Sequence, residues 1–142
     1  MSDRDRFEGL KREAIRQNEE RYGKEARERF GDEAVDAAND ALLAMDEEDW
    51  SDMNGLETAI IEQLKKALAT GDPAGAEAVE LAAMHARWIR MHWGEAAFNM
   101  EAYLAMVRAY LADKRFQTYY DERAGNGACE FLVRAVEAAN RG

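Results

Sequence analysis

Little in this chain can staple, break or anchor a fold. Its one cysteine, Cys129, has no partner for an internal disulfide, which fits a reducing compartment, so a cytoplasmic protein is expected. There is one proline, Pro73, and β-branched residues are sparse, so strands have little to be built from. No apolar run approaches the roughly 20 residues a membrane span needs. The first residues, MSDRDRFEGL, are charged and lack the apolar core of a secretion signal. Positive charge is in deficit: 19 Lys and Arg stand against 29 Asp and Glu, a formal net charge of −10. That field repels phosphate backbones and anionic lipid, so no direct nucleic-acid or membrane binding is expected.

What remains is helix-forming. Ala, Glu, Arg, Leu and Met dominate. At 142 residues the chain has the length of one domain and can bury a core without cross-links. The expected class is all-α, a single compact bundle of about six helices.

The chain reads in segments. Residues 3–30 carry a thin apolar stripe (Phe7, Leu10, Ala14, Ile15, then Tyr22, Ala26, Phe30) in a field of charge. Lys11, Arg12 and Arg16 alternate with acids, as a solvated helix face does. Such a helix is marginal alone and depends on a partner surface or a ligand. Gly31–Asp32 predicts a stop and a new N-cap, with a second helix to about Met45. Asp46 predicts the cap of a third helix bearing Trp50, Met53, Leu56, Ile60, Leu64 and Leu68 and ending at Gly71. Asp72 and Pro73 predict the cap and first position of a fourth helix running to Trp93. It is apolar nearly all round from Val79 and is expected to be central. A fifth helix is expected from Asn99 to about Ala112, a short helical turn over Asp113 to Tyr120, a loop at ERAGNG, and a last helix from Ala128 to about Asn140. The domain reading is 1–45 as N-terminal helices able to act as a mobile lid, and 46–142 as the helical core.

Residues 85–100, HARWIRMHWGEAAFNM, concentrate the chemistry. Both histidines of the chain lie here, seven residues apart, so they are about 10 Å apart along a helix. That spacing suits a pair of metal ligands on one helix poorly, and no third ligand is evident. No metal and no cofactor is expected. A haem pocket needs one buried axial histidine and an apolar slot, which an all-α chain permits. Cys129 has no histidine near it in sequence and reads as a small core residue. Trp88, Trp93, Phe98, Tyr103, Tyr110, Met91 and Met100 fit two descriptions, a core or the lining of a ligand cleft.

The order of these residues resembles a known family. His85-x-Arg87-Trp88-Ile89 with Trp93 is followed by Tyr110, Asp113, Arg115, Phe116, Tyr119, Tyr120 and Asp121, then by Gly127, Phe131, Leu132 and Ala135. At the front stand NEERYGKEARERFGDEA and, at Glu47 to Trp50, EEDW. Together they resemble the TipAS antibiotic-recognition domain, the effector half of MerR-type transcription activators. The resemblance implies a globin-like helical fold with a hydrophobic cleft, and a non-enzymatic domain that binds large, ring-rich antibiotics of the thiopeptide kind while its N-terminal helices order over the ligand.

No helix-turn-helix precedes the resembling region here, so the expected role is that of a ligand sensor or a drug-sequestering resistance protein. The resemblance also brings a contrast: the family's founding member captures its ligand through a cysteine of the cleft segment. Residues 94–100 have none, so reversible binding is expected. The candidate ligand-binding residues are His85, Trp88, Ile89, Met91, His92, Trp93, Phe98, Met100, Tyr103 and Tyr110, with Tyr22 and Phe30 closing from the front. The net charge favours a neutral or cationic ligand. The alternative is a protein-interaction module, in which the same groove takes an amphipathic helix of a partner such as a transcription regulator. A homodimer is left open.

Overall fold

A computed structural model describes residues 2–95 and 98–140. Among them every regular element is helical: α1 Asp3–Asn18, a π-helical turn Glu19–Gly23, α2 Lys24–Phe30, α3 Asp32–Leu43, α4 Glu47–Thr70, α5 Ala76–Trp93, α6 Met100–Ala109, a 3-10 turn Tyr110–Ala112, α7 Lys114–Ala124 and α8 Ala128–Ala139. No helix among the described residues is long and apolar enough to cross a membrane.

The chain divides into two units, residues 1–52 with 90–98, and residues 53–89 with 99–142. The division falls inside α4 and inside α5.

The first unit is lightly packed. Ser2 caps α1 by accepting from the Asp5 N–H, and Asp5 returns the bond to the cap N–H, a capping box. Of the expected apolar stripe only Phe7 is buried, edge-on to the Trp50 ring at 6.3 Å. Leu10 is 62 % exposed, and Lys11, expected in solvent, is 1 % exposed. Its ammonium donates to the carbonyls of Leu43 and Met45 and pairs with Glu8 at 3.0 Å. Lys11 thus satisfies carbonyls that the end of α3 leaves open.

The π-helical turn shifts the register between α1 and α2. It brings Glu19 onto Arg27, eight residues on, at 2.7 Å. Arg27 also reaches Asp32 and Asp36 of α3, while Asn39 donates to Glu19. Gly23 is buried beside this knot, and a Cβ there would collide with the Glu19 carboxylate. Charge pairs therefore bind α2 to α3, and neither helix buries a residue fully.

The second unit holds the larger core. Ile60, Leu64 and Ala67 of α4, Ala78, Leu81 and Ala82 of α5, Tyr103 and Val107 of α6, and Leu132, Val133 and Val136 of α8 are all buried. The amide of Gln63, in this core, donates to the backbone and side chain of Glu77. α6 and α7 both pack on α8. Asp121 of α7 accepts from the Cys129 N–H at 3.0 Å, serving an open donor of α8's first turn.

Several boundaries differ from expectation. Asp32 is the first residue of α3 rather than its cap, and Gly31, in a positive-φ conformation, takes the cap position. Asp72 does not cap α5. Its carboxylate accepts from the Ala74 N–H in a local turn, and the helix starts at Ala76. The expected short turn after Asp113 is an eleven-residue helix with Asp113 as its cap, and it absorbs Glu122 to Ala124 of the expected loop. Val79 is 52 % exposed, so α5 is not buried all round. The cap at Asp46 is as expected, accepting from Asp49; Asn99, expected as the start of the fifth helix, is the cap of α6 and accepts from Ala102.

Candidate ligand-binding site

The twelve candidate residues divide evenly between the units. Tyr22, Phe30, Met91, His92, Trp93 and Phe98 belong to the first. His85, Trp88, Ile89, Met100, Tyr103 and Tyr110 belong to the second.

In the first unit a turn of backbone builds an aromatic cluster. Gly94 ends α5 at φ +83° and donates its N–H to the Arg90 carbonyl at 2.8 Å. Few side-chain-bearing residues tolerate this left-handed conformation. Space is tight too, since a Cβ on Gly94 would come within 3.1 Å of the Ala41 methyl of α3, which would have to give by a few tenths of an ångström. The Phe98 N–H then returns to the Gly94 carbonyl at 3.1 Å. Phe98 is thereby set beside Trp93, ring centroids 6.0 Å apart, and under the Arg90 guanidinium, 4.6 Å above its centroid. Phe30, at the end of α2, lies 6.1 Å from Trp93 between ring centroids and is 37 % exposed. Trp93 and Phe98 are half-buried, as are Met91, His92 and Tyr22. The structure therefore brings three candidates together as a partly open array of tilted rings.

In the second unit the candidates form a closed polar knot. His85 has no exposed surface. Its Nδ1 lies 2.7 Å from the Tyr103 hydroxyl and its Nε2 3.5 Å from that of Tyr110. Burial drives the Tyr103 and Tyr110 phenols well above the ordinary tyrosine range. Ile89 is buried too, Trp88 tilts against His85 at 6.1 Å and is half-buried, and Met100 is exposed. A stack of Tyr110 on Phe116 at 4.3 Å extends the knot towards α7. Tyr119 donates its hydroxyl to Glu57 of α4.

A groove of about 580 Å³ in the first unit is lined by Asp3, Arg4, Phe7, Glu8, Lys11, residues 43–45, Asp46 and Glu47. None of the twelve candidates lines it, and its walls are mostly charged. His85 and His92 fall in different units. Among the described residues no group of three or more His, Cys, Asp or Glu side chains is placed to hold a metal ion. Cys129 is buried, and its thiol is pushed up to about 11, first by burial and then by Asp121.

Two residues of these sites were not among the candidates. Arg90 reads as one more surface cation on α5, and its place over Phe98 depends on the turn at Gly94. Phe116 reads as packing for the segment after α6, which its stack on Tyr110 bears out.

Comparison with known proteins gives one match. A family model described as the TipAS antibiotic-recognition domain matches residues 22–139. No curated protein and no solved structure matches the chain.

Proposed function

Because this chain belongs to the TipAS antibiotic-recognition domain family, we propose that it recognises large, hydrophobic, ring-rich antibiotics of the thiopeptide kind, reversibly and without chemistry on them. The observation that carries this reading is the Phe30–Trp93–Phe98 array. Phe30 and Phe98, each about 6 Å from Trp93, offer with it partly exposed faces and edges to a flat heteroaromatic ligand. Met91 supplies adaptable apolar volume and Tyr22 a polar atom on a half-buried side chain, while His92, half-buried too, has its Nε2 closed to solvent.

In this reading His85, Tyr103 and Tyr110 act indirectly. Their polar atoms are already engaged with one another, and with Ile89 they fix α5 and α6 within the second unit. Trp88 is half-buried and Met100 exposed within that unit. Residues 1–45 act as the lid. Their helices bury little and are joined by charge pairs, so they can open at low cost. Reversibility follows from Cys129, whose buried, weakly acidic thiol is a poor nucleophile. The protein would serve as a sensor or as a sink that lowers the concentration of drug.

The test is a titration of intrinsic tryptophan fluorescence with a thiopeptide antibiotic, with mass spectrometry of the product. Saturable quenching that is largely lost in Trp93→Phe, with no mass adduct, is expected. Quenching unaltered in Trp93→Phe would remove the array from the site, and a stable adduct would exclude reversible binding.

A further inference from the structure

The reading above leaves one group of the array unexplained, the guanidinium of Arg90. It is held 4.6 Å over the centroid of Phe98, in the same turn that sets Phe98 beside Trp93. The chain carries 29 acidic residues, and other well-placed cations use them: Arg16, Arg27 and Lys65 are all paired. Among the described residues the Arg90 guanidinium makes no hydrogen bond or ion pair. Arg123, which also lies over a ring, donates to the Tyr119 carbonyl. Arg90 thus lies over its ring on an exposed side chain, with its N–H groups open to solvent.

The geometry limits what those groups can meet. A guanidinium that stacks on an aromatic ring uses its face and keeps its N–H groups in its own plane, pointing outward. With its carbon 4.6 Å over the Phe98 centroid, the guanidinium sits beside any ring that the array takes, where an acceptor on that ring's edge can meet its N–H fork. A flat ring that carries an oxygen acceptor at its edge presents both features at once: a face for the array and an acceptor for the fork. A compact ammonium lacks this match, because it neither stacks as a plate nor offers parallel donors.

We propose that Arg90 is a specificity-determining residue of the array, selecting planar aromatic ligands with an oxygen acceptor at the ring edge over the same rings without one. The inference rests on the ligand-recognition reading and adds what the ligand must carry. In a protein of net charge −10 the surrounding field opposes anions, so a preference for an anionic acceptor would have to come from a local cation.

Two dyes with the same ring skeleton test it, 8-anilinonaphthalene-1-sulfonate and N-phenyl-1-naphthylamine, which lacks the sulfonate. Each is titrated by fluorescence in about 0.15 M salt, where distant charges are screened. The wild-type protein is expected to bind the sulfonate about tenfold tighter than its neutral relative, the worth of a charge-assisted hydrogen bond of about 1.4 kcal/mol. Arg90→Gln is expected to bring that ratio close to one, chiefly by weakening the sulfonate. Arg90→Lys is expected to restore little of it. Arg87→Gln, which removes another exposed cation of α5, is expected to leave the ratio unaltered. A ratio preserved in Arg90→Gln, or lowered as far by Arg87→Gln, overturns the role of Arg90 while ligand recognition by the array stands. If the wild-type protein binds neither dye, the array is not a ring-binding site, and both readings fall.

Discussion

The ammonium of Lys11 lies 2.6 Å from the carbonyl oxygen of Leu43, across 32 residues of sequence. A lysine in a chain with few buried polar groups has become the C-terminal cap of another helix. Its stem lies against Phe7, with the ammonium 4.4 Å from the ring centroid, and its charge goes to two carbonyls and Glu8. Lys11→Met keeps the stem and removes all three donors. Hydrogen bonds to a charged group are worth about 1.5–3 kcal/mol, so a loss of about 2 kcal/mol from the first unit is expected. Amide exchange should show it in α1 and α3, with α8 protected as before. Glu8→Gln should cost under about 1 kcal/mol, because Glu8 is partly solvated. Equal losses in both variants would mean that the ion pair, rather than the cap, carries the effect.

The Glu19–Arg27 pair predicts an acid-labile front. Arg27's hydrogen bond is the leading cause that holds the Glu19 carboxyl below its ordinary range, with Asn39 assisting. A carboxyl with a depressed folded-state value stabilises the fold above its unfolded value of about 4.3 and loses that contribution as pH falls through the lower one. Exchange protection of residues 19–39 should therefore be flat from neutral pH to about 5 and fall below about pH 4. Arg27→Gln should lower protection at neutral pH and flatten the acid limb. An acid limb unchanged in Arg27→Gln would place its origin elsewhere.

Glycines at different backbone angles should respond oppositely to alanine. Gly94 is left-handed at φ +83°, with the Ala41 methyl 3.1 Å from where a Cβ would lie. Gly94→Ala should cost about 1–3 kcal/mol and shift the Trp93 emission, because the turn that seats Phe98 would open. Gly55 lies inside α4 with nothing within 4 Å of its Cβ direction. Gly55→Ala should stabilise by about 0.5–1 kcal/mol. Thermal melts of the two variants suffice. A Gly94→Ala protein as stable as wild type would show that the turn relaxes readily.

How much of this could be read from the sequence depended on distance along the chain. Asp46 was legible as a cap because the bond it makes reaches only three residues; Asn99 makes the same bond and was legible only as a helix start. Asp72 shows the limit of that logic, since the same side chain closed a turn on Ala74 instead. The helix after Asp113 was underread because Phe116, Thr118, Tyr119 and Tyr120 are middling helix formers. Packing of α7 on α8 and the Tyr110–Phe116 stack support it. The rings of the array were legible as residue types, and Trp93 and Phe98 lie only five residues apart in sequence. Lys11, Arg27 and Arg90 were not legible, because each acts on a partner placed by a cap, a π-helical turn or a left-handed glycine. The charge pattern of α1 gave Lys11 to solvent, and the partner that overrides this is the frayed end of a helix more than thirty residues away.

The tyrosine knot of the second unit predicts an alkaline limit to stability. The chain has five tyrosines. Burial raises three of them, Tyr103, Tyr110 and Tyr120, far above the ordinary phenol range, and neighbouring phenols add to the effect. A phenol in the unfolded chain ionises near pH 10. Above that pH the unfolded state binds fewer protons than the folded one, so stability is full below about 10 and falls as pH rises further. Absorbance of phenolate should therefore appear in two stages, with the larger step coinciding with loss of helical circular dichroism. Tyr103→Phe removes one such phenol and should move the alkaline midpoint upward. At neutral pH it should cost about 1–3 kcal/mol, because the 2.7 Å bond to His85 is lost inside a closed core. Both effects in one variant, of opposite sign on either side of pH 10, distinguish a buried hydrogen-bonded phenol from one that merely fills space. If all five tyrosines titrated together near pH 10 with the helices intact, the knot would have to be open to water, and His85 would return as a residue that ligand can reach.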